Sequence, residues 1–515
     1  MHTKCADGFV GLTFAVISIV AAPADAGMSF MDPLIVPRPS QIEVQSNVCV
    51  SLNSGPLGIS CAEEVSSALS WAAARCGRWF GGASVREVPF SGGPVPGGAE
   101  AYEITANRDG IVVRANAPAG VRHAMYTLRQ CAMPERGTLR TKGYIVPGMA
   151  VRDRPALGFR GVHLCWFPGV TVEEMERKLR LAAYYKFNYA VIEPWGVYKW
   201  RSTPDFCWPD AHVAAADIKR LVAVALDAGI TPCPQLNMFG HAAMSRFIGG
   251  KHATLDLKPE YEPVFEPLGG WNWCLTNPET RRVLEKMIAD LCDAFGSPPY
   301  FHIGCDEAER PSCPTCRSVD YADLVLGHLK WIHDVLSERG CRVMMWHDML
   351  LDRGNPRWAG FYAKGDAATA TLPDRLPRDI VICDWYYREG EWFYPTMDYF
   401  ASLGYSVLTC PWRDRNGIRA QAEHARRRNL LGILETTWHA ARGREFGWMM
   451  IGAAHAGWGT SSDRYAGSFG TITYATHLRQ VGWDMGLKSR ESTGFVTDDV
   501  PVRPWVEAVG GKCLE

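Results

Sequence analysis

The sequence has no excess of either charge. Against 54 Lys and Arg stand 55 Asp and Glu, so its totals imply no polyanion-binding surface and no nucleic-acid partner. It has no Gly-x-Gly-x-x-Gly after an early strand, no phosphate loop and no Gly-x-Ser-x-Gly elbow, which leaves dinucleotide binding, phosphoryl transfer and acyl transfer unsupported. A His-x-His pair is also missing, and a metal-dependent barrel hydrolase would need such a set. Long apolar runs are absent beyond the first 26 residues, where Lys4, the apolar stretch 9–22 and Ala24-Asp25-Ala26 read as an export signal too short to span a membrane. No cysteine follows that cleavage site directly, so the expected product is an exported, periplasmic or extracellular chain without a lipid anchor.

Cysteine is plentiful, 17 in all, but its spacing defines no disulfide framework. Cys165, Cys233, Cys305, Cys383 and Cys410 fall on apolar strand-like runs, where a free thiol behaves as a small apolar residue. Cys313 and Cys316 are the one close pair; a loop-stapling disulfide or plain thiols are expected there. His328 and His333 follow at near zinc-finger spacing, but on a helix expected to pack against a sheet, so no metal ligand and no cofactor is assigned.

What the chain has is a short apolar run, residues 300–304, ending at a glycine and delivering Asp306 and Glu307 side by side. Such a pair on a loop is ordinarily a solvated surface feature. In one pocket, two carboxylates repel and raise at least one pKa, the condition a general acid near neutral pH requires.

At 515 residues the chain exceeds one core. Residues 30–150 read as a small α+β domain, with strands near 42–44, 101–106 and 110–115, a hairpin turn at Asn107–Gly110 and a helix over 120–131. From 156 to 465 apolar runs alternate with amphipathic helices: 159–166, 188–194, 231–237, 300–304, 342–348, 379–385, 406–412 and 430–438. Thr171 with Glu174 forms a capping box, Asn277-Pro278 starts a helix, and Gly229, Gly296 and Gly340 end others. Eight such units predict a (β/α)8 barrel, followed by a helical extension over 466–515. A doubly wound open sheet is the architectural alternative.

Barrel active sites lie at the carboxyl ends of the strands. Those ends carry Glu193, Asn237 to His241, His302, Asp306, Glu307, Trp346, Asp348, Trp385, Tyr386, Trp412, Asp414 and Trp438. One rim tryptophan is ordinarily core; four together suit a sugar face.

These residues resemble glycoside hydrolase family 20, the β-N-acetylhexosaminidases. His302-Ile303-Gly304-Cys305-Asp306-Glu307 is similar to the family's His-x-Gly-Gly-Asp-Glu signature, Arg160-Gly161 matches its first barrel strand, and 101–131 resembles the accessory domain before these barrels. Met238-Phe239-Gly240-His241, residues 343–350 and Asp384-Trp385-Tyr386 look closest to the hexosaminidase D type. Cys165 and Asn237 stand where the larger branch has aspartates, and Trp412 to Asp414 replaces a Tyr-x-Asp.

The resemblance implies an exo-acting, retaining enzyme that removes terminal β-linked N-acetylhexosamine from a glycan, with the substrate's acetamide as nucleophile. Glu307 would be the general acid, later base, and Asp306 would orient the acetamide. Trp346, Trp385 and Trp438 would wall the sugar, Arg160 and His241 would hold hydroxyls or support the acids, and Tyr386 would replace the usual acetamide-gripping tyrosine. The family's glutamate two residues after the last rim tryptophan is missing, since His439 and Ala440 follow Trp438; this implies activity on N-acetylgalactosaminides. An inactive carbohydrate-binding protein on the same barrel and a metal-dependent barrel hydrolase are the rival readings.

Overall fold

The computed structural model describes residues 33–135, 143–209, 211–243, 258–267, 269–442 and 445–487. The expected export signal lies outside them.

The first unit is a mixed sheet of seven strands: β1 (Gln41–Ser51), β2 (Leu57–Cys61), β3 (Val85–Glu87), β4 (Tyr102–Asn107), β5 (Gly110–Ala115), β6 (Met133–Pro134) and β7 (Tyr144–Asp153). Their order is β1-β7-β4-β5-β2-β3, with β6 beside β7. The predicted hairpin joins β4 to β5, and its turn is closed by Asp109 N–H donating to Asn107 Oδ1 at 2.9 Å. Helices Val65–Trp79 and Pro118–Cys131 pack on the sheet. The second is nearly all buried because it is sandwiched between that sheet and the barrel, its Tyr126 hydroxyl donating to Ala228 O.

The second unit is the expected (β/α)8 barrel. Its parallel strands are β8 (Phe159–Trp166), β9 (Tyr189–Pro194), β10 (Thr231–Pro234), β11 (Tyr300–His302), β12 (Arg342–Trp346), β13 (Val381–Tyr386), β14 (Ser406–Pro411) and β15 (Gly432–Thr436). Backbone bonds from Leu236 N to His302 O and from Met238 N to Ile303 O bring β10 and β11 together and close the ring. Phe159, Val191, Cys233, Met344, Cys383, Leu408, Cys410 and Leu434 fill its interior. The capping box at Thr171 and the Asn277 cap form as expected, and Gly229 and Gly296 end their helices in the left-handed conformation.

The fifth unit departs from the repeat. Between β12 and β13 the described chain forms only 3-10 turns, at Asp348–Leu350, Pro356–Trp358 and Thr369–Asp374. That irregular connection brings Tyr362 and Lys364 to the carboxyl end of the barrel.

Buried ion pairs join the two units. Asp153, at the end of β7, accepts from Tyr102 Oη, Lys186 Nζ and Trp458 Nε1 at 2.6, 3.2 and 2.8 Å. Burial pulls the Lys186 pKa down, and Asp153 opposes it. The last described helix, Ser468–Asp484, ties back to both units: Tyr184 Oη donates to Gln480, and Arg129 pairs with Asp484 at 2.9 Å.

Candidate active site

The acid-bearing segment leaves β11 through a sharp turn. Gly304, Cys305 and Glu307 all have positive φ (65°, 70° and 47°). For the two that are not glycine this conformation is costly and persists only where the surroundings enforce it. A Cβ on Gly304 would fall 2.5 Å from the Asn237 side chain, and one on Gly240 would fall 2.2 Å from Asp306 O. Both glycines let the loop after β10 lie directly against the acids. His241, Arg413 and Trp438, on neighbouring rim loops, also have positive φ.

Asp306 is almost fully buried. Asn237 Nδ2 donates to its Oδ1 at 3.2 Å. His241 Nε2 lies 3.3 Å from Asp306 Oδ2 and 3.4 Å from Glu307 Oε2, so one imidazole bridges both acids. Trp271 packs on the His241 ring and donates its indole N–H to the Glu307 carbonyl at 2.8 Å. On the opposite side Lys364 Nζ reaches Glu307 Oε1 at 2.9 Å.

The charges differ from the sequence expectation. Side by side, Asp306 and Glu307 are expected to raise at least one carboxyl pKa, and Glu307 is not raised. Hydrogen bonding from His241, with that from the Lys364 ammonium, instead holds its pKa below the usual carboxylate value and outweighs burial and the Asp306 charge. The neighbouring Asp348 is pushed up instead, to about 8, through burial first and then the charge of Asp306. Asp348 joins two parts of the site, accepting the Glu307 backbone N–H at 2.8 Å and the Trp385 indole N–H at 3.1 Å.

Aromatic rings complete the cup. Trp346 is fully buried beneath Trp438 (ring centroids 5.8 Å apart) and beside His302 (4.3 Å). Tyr362 stacks on Trp385 at 4.5 Å, and Tyr387 lies 5.0 Å from Trp385 and 5.3 Å from Trp412. The Trp438 indole donates to Tyr387 Oη at 2.9 Å. Burial raises the Tyr387 phenol well above its ordinary pKa, and the Asp306 charge adds to this. The indole N–H groups of Trp346 and Trp412 are buried without an acceptor from the described protein.

The structure thus gathers Asp306, Glu307, His241, His302, Trp346, Asp348, Trp385, Trp412 and Trp438 at one end of the barrel. Glu193 faces the interior there too, but its carboxylate is engaged by His163 at 3.3 Å and the Cys165 thiol at 3.7 Å.

Three sequence assignments are corrected. Arg160 faces outward from β8, where it pairs with Glu100 of the small domain and donates to Leu157 O and Lys186 O, so it joins domains and does not meet the site. Tyr386 also faces outward: its hydroxyl donates to Glu391 Oε1 and its ring stacks on Phe361. Strand side chains alternate, so the inward tyrosine is Tyr387. Asp414 caps helix Arg415–Arg427, accepting from Gly417 N at 2.6 Å. Lys364, Tyr362, Trp271 and Tyr387 were not found from the sequence; continuing the inward alternation Val381, Cys383, Trp385 by one step would have found Tyr387.

One prediction rests on the Lys364 pair together with the general-acid role that the resemblance gives Glu307. A general acid works in its protonated form, so kcat/KM falls as pH rises through the acid's pKa in the free enzyme. Lys364→Met removes a cation that favours the ionised form, so Glu307 should hold its proton to higher pH and the basic limb of kcat/KM should move up. A limb that stays put or moves down would remove Lys364 from control of this acid.

Comparison with known proteins agrees with this geometry. Residues 32–154 match the model for glycosyl hydrolase family 20, domain 2, and residues 208–413 match that family's catalytic domain. A beta-N-acetylhexosaminidase of Cellulomonas fimi is 26% identical over 277 residues, covering 50% of this chain and 51% of that protein. A beta-hexosaminidase of Porphyromonas gingivalis is 23% identical over 297 residues, covering 49% of this chain and 36% of its own length. The chain therefore spans about half or less of the length of these curated relatives. Among solved structures, the family 20 beta-N-acetylhexosaminidase of Streptomyces coelicolor superposes with a TM-score of 0.61 at 17% identity, over 89% of this chain and 98% of that one. The Vibrio harveyi exo beta-N-acetylglucosaminidase gives 0.64 at 16%, over 91% and 81%. With both family domains matched over more than half its length and its fold shared with solved members, the chain belongs to glycosyl hydrolase family 20.

Proposed function

We propose that the protein is an exo-acting β-N-acetylhexosaminidase that cleaves terminal β-linked N-acetylhexosamine with retention, using the substrate's own acetamide as nucleophile. The observation that carries this reading is the placement of the two acids. Asp306 is buried and held by Asn237 and His241, while Glu307 is partly exposed beside Lys364. A buried carboxylate held in one orientation suits a neutral amide that becomes cationic as it attacks. A more exposed acid suits a leaving oxygen that points out of the cup. Trp346, Trp385 and Trp438 wall the ring, and the open indole donors of Trp346 and Trp412 suit its oxygens. With His241 and Lys364 bonded to it, Glu307 is biased toward its ionised form, so we couple its protonation to sugar binding. Such a sugar excludes water and separates Lys364 from the carboxylate.

For the sugar we propose N-acetylgalactosaminides cleaved at least as well as their gluco epimers. The epimers differ in one hydroxyl, and discrimination rests on polar groups around it. Ala440, buried, stands where the resemblance places a glutamate, and the neighbouring His439 turns its ring toward Trp412 at 5.6 Å. Paired aryl N-acetylgalactosaminide and N-acetylglucosaminide substrates test this. A gluco preference in kcat/KM of roughly tenfold or more, about 1.4 kcal/mol, would show that another residue has taken over the missing contact. Activity without a 2-acetamido group would count against the mechanism itself. Export of the chain remains part of this proposal and rests on its first 26 residues alone.

A further inference from the structure

Beside the acid loop, four residues from two segments bring their side chains together. Glu266 and Cys274 lie on the two arms of a hairpin after β10, joined by Glu266 N to Asn272 O and Cys274 N to Val264 O at 2.9 and 2.8 Å. Cys313 caps, and Cys316 lies within, the short helical turn Pro314–Arg317 that follows Asp306 and Glu307. One ligand atom from each of the four lies within 4.8 Å of the other three.

The spacing of the sulfurs is informative. Cys274 Sγ is 3.8 Å from Cys313 Sγ and 3.7 Å from Cys316 Sγ. A disulfide requires sulfurs about 2.05 Å apart. Around a tetrahedral zinc ion with Zn–S of about 2.3 Å, sulfur atoms sit about 3.8 Å from one another. Cys274 keeps that distance to both other sulfurs, and the third sulfur pair and a carboxylate oxygen lie within 4.8 Å, the spacing of a tetrahedral ligand set.

The surroundings also fit thiolates. Cys316 N–H points at Cys313 Sγ at 3.3 Å, and Thr276 Oγ1 lies 3.1 Å from Cys316 Sγ. Both can donate to a negatively charged sulfur. Glu266 Oε2 accepts the backbone N–H groups of Ser312 and Cys313 at 2.7 and 2.8 Å. Among the described residues no hydrogen-bond partner reaches its other oxygen, Oε1, which is buried in a residue only 5% exposed. A buried unsatisfied carboxylate oxygen is costly, and a cation removes the cost. The two histidines downstream play no part, since His328 Nε2 is bonded to Met238 O and His333 to Asp379.

We propose that Cys274, Cys313, Cys316 and the Oε1 of Glu266 form a structural zinc site that fastens the paired segments 264–267 and 269–274 to the acid loop. Soft thiolates with one carboxylate in a closed, four-ligand arrangement select Zn(II) over harder divalent ions. Each thiol gives up its proton on binding, so occupancy falls in acid. The ion does not touch the sugar. It holds the backbone that carries Trp271 and Asn272, and these bond the carbonyls of Glu307 and Glu309 at 2.8 and 2.5 Å. The inference stands apart from the hexosaminidase reading, because a metal count is blind to turnover.

The test is zinc stoichiometry on the tag-free full chain, purified without chelator from zinc-supplemented medium. About one zinc per chain is expected. Titrating the thiols with an organomercurial should release it into a chromogenic zinc indicator. Cobalt substitution should give thiolate-to-cobalt charge transfer and the visible bands of a tetrahedral ion. Cys313→Ser and Glu266→Gln should each lose most of the metal, and if these variants do not fold, the thiol titration of the unaltered chain still decides. Three results would overturn the proposal: no bound metal, a disulfide between any two of the three cysteines in non-reduced peptide maps, or full zinc retention in folded Cys313→Ser.

Discussion

Glu307→Gln is expected to lower turnover on glycosides with poor leaving groups by roughly 10² to 10⁴ fold, about 3 to 5 kcal/mol of barrier, while aryl glycosides with acidic leaving groups lose much less. An alkoxide leaves only if it is protonated as the bond breaks. A nitrophenolate leaves unaided, and that difference isolates proton donation from every other contribution. The substitution keeps the size of the side chain and leaves the backbone N–H that bonds Asp348 intact. It removes the charge opposite Lys364, so the basic limb attributed to this acid should also disappear from the pH profile of whatever activity remains. Comparing kcat/KM for a methylumbelliferyl or nitrophenyl substrate with that for an alkyl glycoside or a disaccharide checks both points. An equal loss on both substrate kinds, or no loss, would show that the proton comes from elsewhere, and Asp348, whose carboxyl is pushed up to about 8, would be the first place to look.

The barrel was legible because each strand is a short apolar run ended by polar residues, and its helices carry explicit caps. All eight predicted strands lie where expected within a few residues. What the sequence hid depends on which way single residues point. Arg160 and Gly161 are adjacent on β8, but Gly161 faces the interior, a Cβ there meeting Phe159 and Leu434, while Arg160 faces the small domain. Its partner Glu100 is 60 positions away in another unit, and no local pattern announces that pair. The same one-residue parity separates Tyr386 from Tyr387. Asp414, by contrast, stood three residues before a glycine at the start of a helix, a cap signature readable in the sequence. Lys364 carried no signal, because the connection between β12 and β13 has no helical period from which to place it. Cys274 lies 39 positions before Cys313, and only the fold brings them together.

Asp306→Asn is expected to reduce kcat on every substrate, activated or not, by roughly 10² to 10³ fold, the usual cost of losing one preorganised group that stabilises developing charge. The reasoning starts from burial. Asp306 is 7% exposed, bonded by Asn237 Nδ2 and faced by His241 Nε2, so it is held in one orientation before any sugar arrives. In the proposed mechanism the acetamide oxygen attacks the anomeric carbon and its nitrogen becomes positive. A fixed carboxylate stabilises that charge whatever group is leaving, so the loss should not depend on the leaving group, unlike the loss from Glu307→Gln. Tyr387→Phe should also lower kcat on aryl substrates, because its hydroxyl accepts from the Trp438 indole on the rim of the cup, whereas Tyr386→Phe, bonded to Glu391 outside the barrel, should leave kcat unchanged. The measurement is kcat for aryl and alkyl N-acetylhexosaminides with each variant, alongside melting temperature to confirm that the barrel is intact. If Asp306→Asn spares aryl substrates, or Tyr386→Phe proves more damaging than Tyr387→Phe, the acetamide is not held where these residues meet. A sugar trapped covalently on any carboxylate of the protein would replace the substrate-assisted scheme with a direct enzyme nucleophile.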